Sequence, residues 1–213
     1  MRSGRRSRIW GSAGVSLACA LSIGATATAA ALSPTFAKTV VLAPVSGKVL
    51  IRTPGAAYSA LLTAARVVPV GTVVDTTAGR VRLTSSNPQP GSVQSGQFFK
   101  GTFQIKQSRG GGGLVSLLLR DTTTRQSGCK PPPAHAAALS RRILGLLRGN
   151  AKGHFRTVGR FSAATVLGTN WGVRDRCDGT LTVVRTGVVV VTDFSLHTNV
   201  TVRAGQTYLA KAP

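Results

Sequence analysis

From Val40 onward the apolar residues come in short valine-rich runs, each stopped within a few residues by glycine or proline. That punctuation excludes long helices, since glycine and proline cost about 1 and 3 kcal/mol in a helix interior. It suits strands, where β-branched side chains pack well on a pleated surface. Residues 45–51 end near the turn dipeptide Pro54-Gly55. In residues 67–74, Pro69 and Gly71 stand where a strand enters from a bend. Residues 80–84 alternate charged and apolar side chains, which predicts one wet face and one buried face. Residues 98–105 and 114–119 are two further strand candidates around Arg109 and a run of glycines, Gly110 to Gly113. No Lys-Ser/Thr pair of a phosphate-binding loop follows those glycines, so they read as a loose hairpin connection. Later, residues 162–166 lead into Gly168-Thr169-Asn170-Trp171, and Asp178-Gly179 marks a hairpin turn. Segments 181–184, 187–191 and 199–202 then follow at the spacing of an all-β sandwich or roll.

One segment departs from this pattern. In residues 134–148, Leu139, Ile143 and Leu146/Leu147 fall on one side at helical spacing, with Arg141, Arg142 and Arg148 elsewhere. A short helix packed on the sheet is expected there, within a proline-rich and helical insertion spanning 121–153. The competing reading is a basic amphipathic helix on a membrane surface.

The N-terminus reads as an export signal. Residues 1–8 carry four arginines and no charge follows until Lys38. An apolar stretch from Ile9 through Ile23 runs into small residues with A-x-A cleavage sites at Ala27, Ala29 and Ala31. This predicts a signal peptide over 1–31, a linker over 32–44 and one β domain over 45–213. Residues 9–31 are also long enough to serve as an uncleaved anchor. A lipoprotein signal at Cys19 is disfavoured by Ser16, which stands where such signals want leucine. The expected location is secreted or envelope-associated, outside the cytoplasm.

Export reinterprets the cysteines and the charge. Losing Cys19 with the signal leaves Cys129 and Cys177 in an oxidising compartment, where a single disulfide is expected. A cysteine nucleophile of the cell-wall transpeptidase kind is excluded, because no histidine adjoins either thiol. The chain has 27 Lys+Arg against five acids, all aspartate, a net charge of +22. Removing the four N-terminal arginines leaves +18 (22 less 4). Such an excess invites an anionic partner such as a cell-wall polymer, lipid head groups or acidic glycans. The basic residues are spread through strand-like segments rather than gathered in a block. No recognition helix or aromatic-basic RNA signature points to nucleic acid.

The segment Thr165-Val166-Leu167-Gly168-Thr169-x-Trp171, followed by Asp178-Gly179-Thr180, Arg185-x-Gly187-x-Val189-x-Val191 and Val202-x-Ala204-Gly205, resembles the FecR-like domain family. Gly47-x-Val49, Val68-Pro69-x-Gly71, Val74-Asp75-Thr76-Thr77 and Val81-x-Leu83 match that family's opening strands more loosely. The secreted actinobacterial branch is the nearest in pattern, with cysteines flanking a stretch like Gly153-His154-Phe155-Arg156 and an Asp-Arg-Cys-Asp-Gly motif at 175–179. Leu167 stands where that branch more commonly carries arginine. The resemblance implies an all-β, twisted roll or solenoid-like domain without catalytic residues, in which Gly168, Thr169, Trp171, Asp178, Gly179, Gly187, Ala204 and Gly205 are structural. It also implies a relation to membrane-anchored signalling regulators, which would need residues 9–31 uncleaved. Such regulators engage a sigma factor through a cytoplasmic segment, and only about eight residues precede the apolar run here.

Catalytic constellations are scarce. There is no G-x-S-x-G, and His135, His154 and His197 lie in unrelated contexts. A glycosidase needs a carboxylate pair, and the supply is Asp75, Asp121, Asp175, Asp178 and Asp193. Asp175, between Arg174 and Arg176, is expected in an ion pair. No zinc or calcium spacing is present, so no metal and no cofactor is expected. The expected function is an exported, non-catalytic binding or scaffold module that presents a basic β surface to an anionic envelope polymer or an envelope protein.

Overall fold

The computed structural model describes residues 32–121, 129 and 141–213. Alternating apolar and polar side chains turn 63% of them into strands, and among the described residues there is no α-helix. The chain is all-β. Fifteen strands form one continuous sheet, and two long neighbours, β10 (Ile143–Val158) and β11 (Ser162–Arg176), organise it. They make an antiparallel hairpin whose register runs from Ile143↔Arg176 to Val158↔Ala163.

Each of these strands changes partner halfway along its outer edge. In β10, residues 148–152 pair with β7 (Val93–Phe99), and residues 155–158 pair in parallel with β9 (Val115–Leu119). In β11, residues 170–176 pair with β12 (Gly179–Thr186), and residues 162–166 with β13 (Val188–Asp193). The sheet therefore forks into two layers that share the hairpin. The first layer runs from β4 (Arg66–Pro69) through β1 (Thr39–Gly47), β6 (Gly79–Ser86) and β7 to the shared hairpin, then β12 and β15 (Thr207–Lys211). The second runs from β3 (Ala60–Leu61) through β2 (Leu50–Arg52), β5 (Val73–Asp75), β8 (Thr102–Gln107) and β9 to the hairpin, then β13 and β14 (Thr198–Arg203). A strand that passes between layers needs a bulge or bend. The β10 register shifts between Lys152 and Phe155, where Gly153 takes φ +119°.

Buried glutamines hold the fork. Gln94 Oε1 accepts the His154 N–H at 2.6 Å, and its Nε2 donates to the Gly113 carbonyl at 2.6 Å. Gln107 Nε2 donates to the same carbonyl at 3.1 Å and to Ser86 O at 3.0 Å. The glycine run expected to be a loose connection is thus pinned to both layers through Gly113. Aromatic rings fill the space between the layers. Phe98 of β7 meets Phe103 of β8, Phe155 of β10 and Trp171 of β11 at centroid distances of 5.8, 5.4 and 6.1 Å. Trp171 is 1% exposed, and its Nε1 donates to Thr157 Oγ1 at 3.1 Å.

Several sequence expectations need correction. The linker expected over 32–44 ends early, because β1 starts at Thr39 with Val40 and Leu42 fully buried. The helix expected over 134–148 is strand from Ile143 onward; residues 134–140 lie outside the described residues. The cause is a register shift between Ile143 and Gly145, which puts Leu144 and Gly145 both inside. Ile143 and Leu147, expected on one side of a helix, fall on opposite faces of the strand: Ile143 is exposed and Leu147 buried. Residues 98–105 are two strands, folded back at Lys100-Gly101, where Lys100 takes φ +70°. The hairpin turn expected at Asp178-Gly179 sits one residue earlier. Arg176 pairs with Gly179 across Cys177-Asp178, and β12 opens at Gly179. The signal peptide and its cleavage alanines lie outside the described residues, as does His135.

Candidate functional site

Side chains paired across neighbouring strands point to the same side, so the registers show what each face displays. On the outer face of the first layer, Arg80 of β6 aligns with Phe99 of β7, Arg148 of β10 and Gly172 of β11. The next row is Arg82, Gln97, Asn150 and Asn170; beyond it lie Thr84, Ser95, Lys152 and Gly168. Arg174 extends the face opposite Leu146. Five cations from β6, β10 and β11 therefore share one surface: Arg80, Arg82, Arg148, Lys152 and Arg174. Successive outward residues of one strand stand about 6.8 Å apart, and adjacent strands about 4.8 Å.

Arg82, Arg148, Lys152 and Arg174 have no side-chain hydrogen bond or ion pair among the described residues, and Arg80 meets only neutral groups. Among the described residues the one ion pair is Arg176 with Asp178, made by two guanidinium nitrogens, one of them Nε at 2.7 Å from Asp178 Oδ1. Arg80 lies over the Phe99 ring, 3.9 Å from its centroid, and donates to Gln97 Oε1 at 3.4 Å. These two contacts hold its guanidinium flat against the sheet. A shallow basin of about 250 Å³ lies on this face, between Arg82, Gln97, Asn150 and Lys152. Gly96 and Ala151 form part of its lining. Sequence reasoning noted that basic residues recur through the strands but missed this set. Arg80-x-Arg82 and Arg148-x-Asn150-x-Lys152 each show the period of two, but only the register joins them.

A larger concavity, of about 1140 Å³, is lined by Arg52, Gln104, Arg120, Val158, Arg160 and Asp175, with Asp121 and Cys129. Two of its three arginines are already engaged. Arg120 donates to Gln104 Oε1, and Arg160 Nη1 to Cys129 Sγ at 3.7 Å. Asp175 is buried and not in the ion pair expected of it. Strand alternation turns Arg174 and Arg176 to the opposite face, and Arg176 goes to Asp178. Asp175 instead accepts the Arg160 N–H at 3.0 Å and the Thr180 hydroxyl, bracing the turn between β10 and β11. Burial raises its pKa above the ordinary carboxylate value, against the lowering effect of those two bonds.

Asp193 has the opposite balance. Burial alone would raise its pKa, but the Leu196 N–H, the Tyr208 hydroxyl and the Ser195 N–H outweigh it and hold the carboxyl low. The Tyr208 phenol is pushed up in turn, first by burial and then by Asp193. Both aspartates are committed to backbone turns, and His154, exposed in β10, and His197, exposed in the turn after β13, stand apart from them.

Gly168, Thr169, Gly187, Ala204 and Gly205 lie at a junction and a turn of the sheet. Gly168 and Gly187 meet where β11 changes partner: a Cβ on Gly187 would lie 2.8 Å from Gly168 O. Thr169 Oγ1 donates to Val188 O at 3.1 Å, also tying β11 to β13. Ala204 and Gly205 make the turn between β14 and β15. Cys129 and Cys177 are joined, with Cα atoms 5.2 Å apart. Among the described residues no helix is long and apolar enough to cross a membrane. Comparison with protein-family models, curated proteins and solved structures finds no match to the chain.

Proposed function

We propose that this protein is an exported, non-catalytic binding module that holds an anionic polymer of the cell envelope on the outer face of its first layer. The observation that carries the reading is the alignment of Arg80, Arg82, Arg148, Lys152 and Arg174 on that face without an ion pair among the described residues. The signal-like residues 1–31 and the Cys129–Cys177 bond support the extracytoplasmic part of it. The FecR-like assignment belongs to the same reading. Its support is the Gly168-Thr169-x-Trp171 segment at the fork of an all-β sheet.

The test is retention on purified cell envelope at rising salt, alongside the intact mass of the native protein. Exposed charges are screened over about 8 Å at physiological ionic strength, so retention should fall steeply as salt rises. The mass should begin near residue 30. Retention indifferent to salt would remove the electrostatic reading. A full-length chain in the membrane fraction would turn attention to an anchored regulator.

A further inference from the structure

The geometry points to an acidic glycan as the polymer: a chain of sugars bearing carboxylates or other anionic groups, laid across β6, β7 and β10 with one sugar seated in the basin. This rests on the reading of the basic face as a polyanion site. Three observations narrow the chemistry.

The first is the row between the cations. Moving from Arg82 across the sheet, the next outward side chains are Gln97, Asn150 and Asn170. The amides of Asn150 and Asn170 are opposite each other in register and have no hydrogen-bond partner among the described residues. A side-chain amide offers two N–H donors and a carbonyl acceptor. A polyphosphate chain carries acceptors only and leaves those carbonyls unused. Sugar hydroxyls both donate and accept, so they satisfy the amides and the Ser95 hydroxyl beside them.

The second is spacing. Across the strands the cations are separated by neutral residues: Phe99 between Arg80 and Arg148, and Gln97 between Arg82 and the Asn150 strand. Arg80 and Arg148 are thus two strand widths apart, about 10 Å, and each of the next two rows holds a single cation among neutral residues. A polymer with charge on every unit, laid across the strands, would meet more neutral residues than cations. A glycan whose sugars each offer hydroxyls, with anions at intervals, matches both elements of the row.

The third is the basin and the row next to it. Gly96 and Ala151 turn their side-chain positions inward, so the floor of the basin of about 250 Å³ is their backbone and its walls are the outward side chains Arg82, Gln97, Asn150 and Lys152. In the next row of the same face the half-exposed Phe99 ring carries Arg80 over it, 3.9 Å from its centroid. A sugar seated in the basin meets the amides of Gln97 and Asn150, while Arg82 and Lys152 at its rim take the anions.

The experiment measures binding of the folded chain to polygalacturonate, to inorganic polyphosphate matched in total charge and to neutral dextran, at 0.15 M salt. Asn150→Ala, which leaves every cation in place, is compared with wild type. We expect polygalacturonate to bind more tightly per charge than polyphosphate, and dextran not to bind. Asn150→Ala should weaken polygalacturonate about fivefold, the loss of roughly one hydrogen bond, and leave polyphosphate unchanged. Equal binding of the two polyanions, or Asn150→Ala without effect on either, overturns the glycan assignment while the polyanion face stands. Binding of neither polyanion overturns both.

Discussion

At the scale of single residues, Trp171 and the groups around it carry the most stability. Its ring covers Gly149, its strand partner; a Cβ there would come within 2.7 Å of the indole. Trp171→Ala should therefore cost about 3–5 kcal/mol, read as the shift in urea unfolding. A near-neutral result would place the ring outside the core. Trp171 was legible in the sequence as a core residue, because a lone aromatic in a Gly-Thr-x-Trp strand segment has few other uses. Asp175 was not. Its arginine neighbours suggested an ion pair, yet period-two alternation puts it inside and them outside. With its folded pKa raised by burial, the stability Asp175 contributes is present in full below the ordinary carboxylate value, about 3.9. It is lost as pH rises through the folded pKa. Asp175→Asn removes that titration. The stability of the variant relative to wild type should improve between pH 4 and pH 7; a constant difference across that range would refute the assignment. Asp193, held low, works in the other direction: its contribution is present above about 3.9 and is lost as pH falls through its folded value.

At the scale of elements, the fork in the β10–β11 hairpin decides the architecture. Gln94 links β7, the kink at His154 and the glycine turn at Gly113. Gln94→Leu would leave the His154 N–H without its acceptor, at a cost of about 1–3 kcal/mol. Amide hydrogen exchange at His154 should accelerate, while Gly113 keeps its bond from Gln107. Unchanged exchange would mean that the fork is held elsewhere. Most strands were legible from alternation and glycine spacing. The exceptions have local causes: a bulge near Leu144 interrupts the period of two, and a turn at Lys100 lacks the Asn-Gly or Asp-Gly signal that marks tight hairpins. The change of partner at Gly153 and Gly168 was not legible either, because one strand pairing with two others leaves no periodic trace.

At the scale of the whole molecule, two features join distant parts of the chain. The Cys129–Cys177 bond closes a loop across a sequence separation of 48, worth about 4 kcal/mol in the chain-entropy account. Reduction should lower the thermal midpoint markedly, and a midpoint unmoved by reductant would show that the bond stabilises nothing. The second feature is the basic face, assembled by register from β6 and from the β10–β11 hairpin, which lies dozens of residues further along the chain. Composition announced the charge, but only pairing shows where it gathers. Its most direct test compares two variants of equal net charge by their affinity for polygalacturonate. One carries Arg82→Gln, Arg148→Gln and Lys152→Gln on the first layer; the other carries Arg52→Gln, Lys106→Gln and Arg203→Gln on the second. Because a local field, rather than total charge, sets the interaction, the first variant should lose about tenfold or more and the second about twofold or less. Equal losses in the two variants would contradict the account, since binding would then follow net charge and not this face.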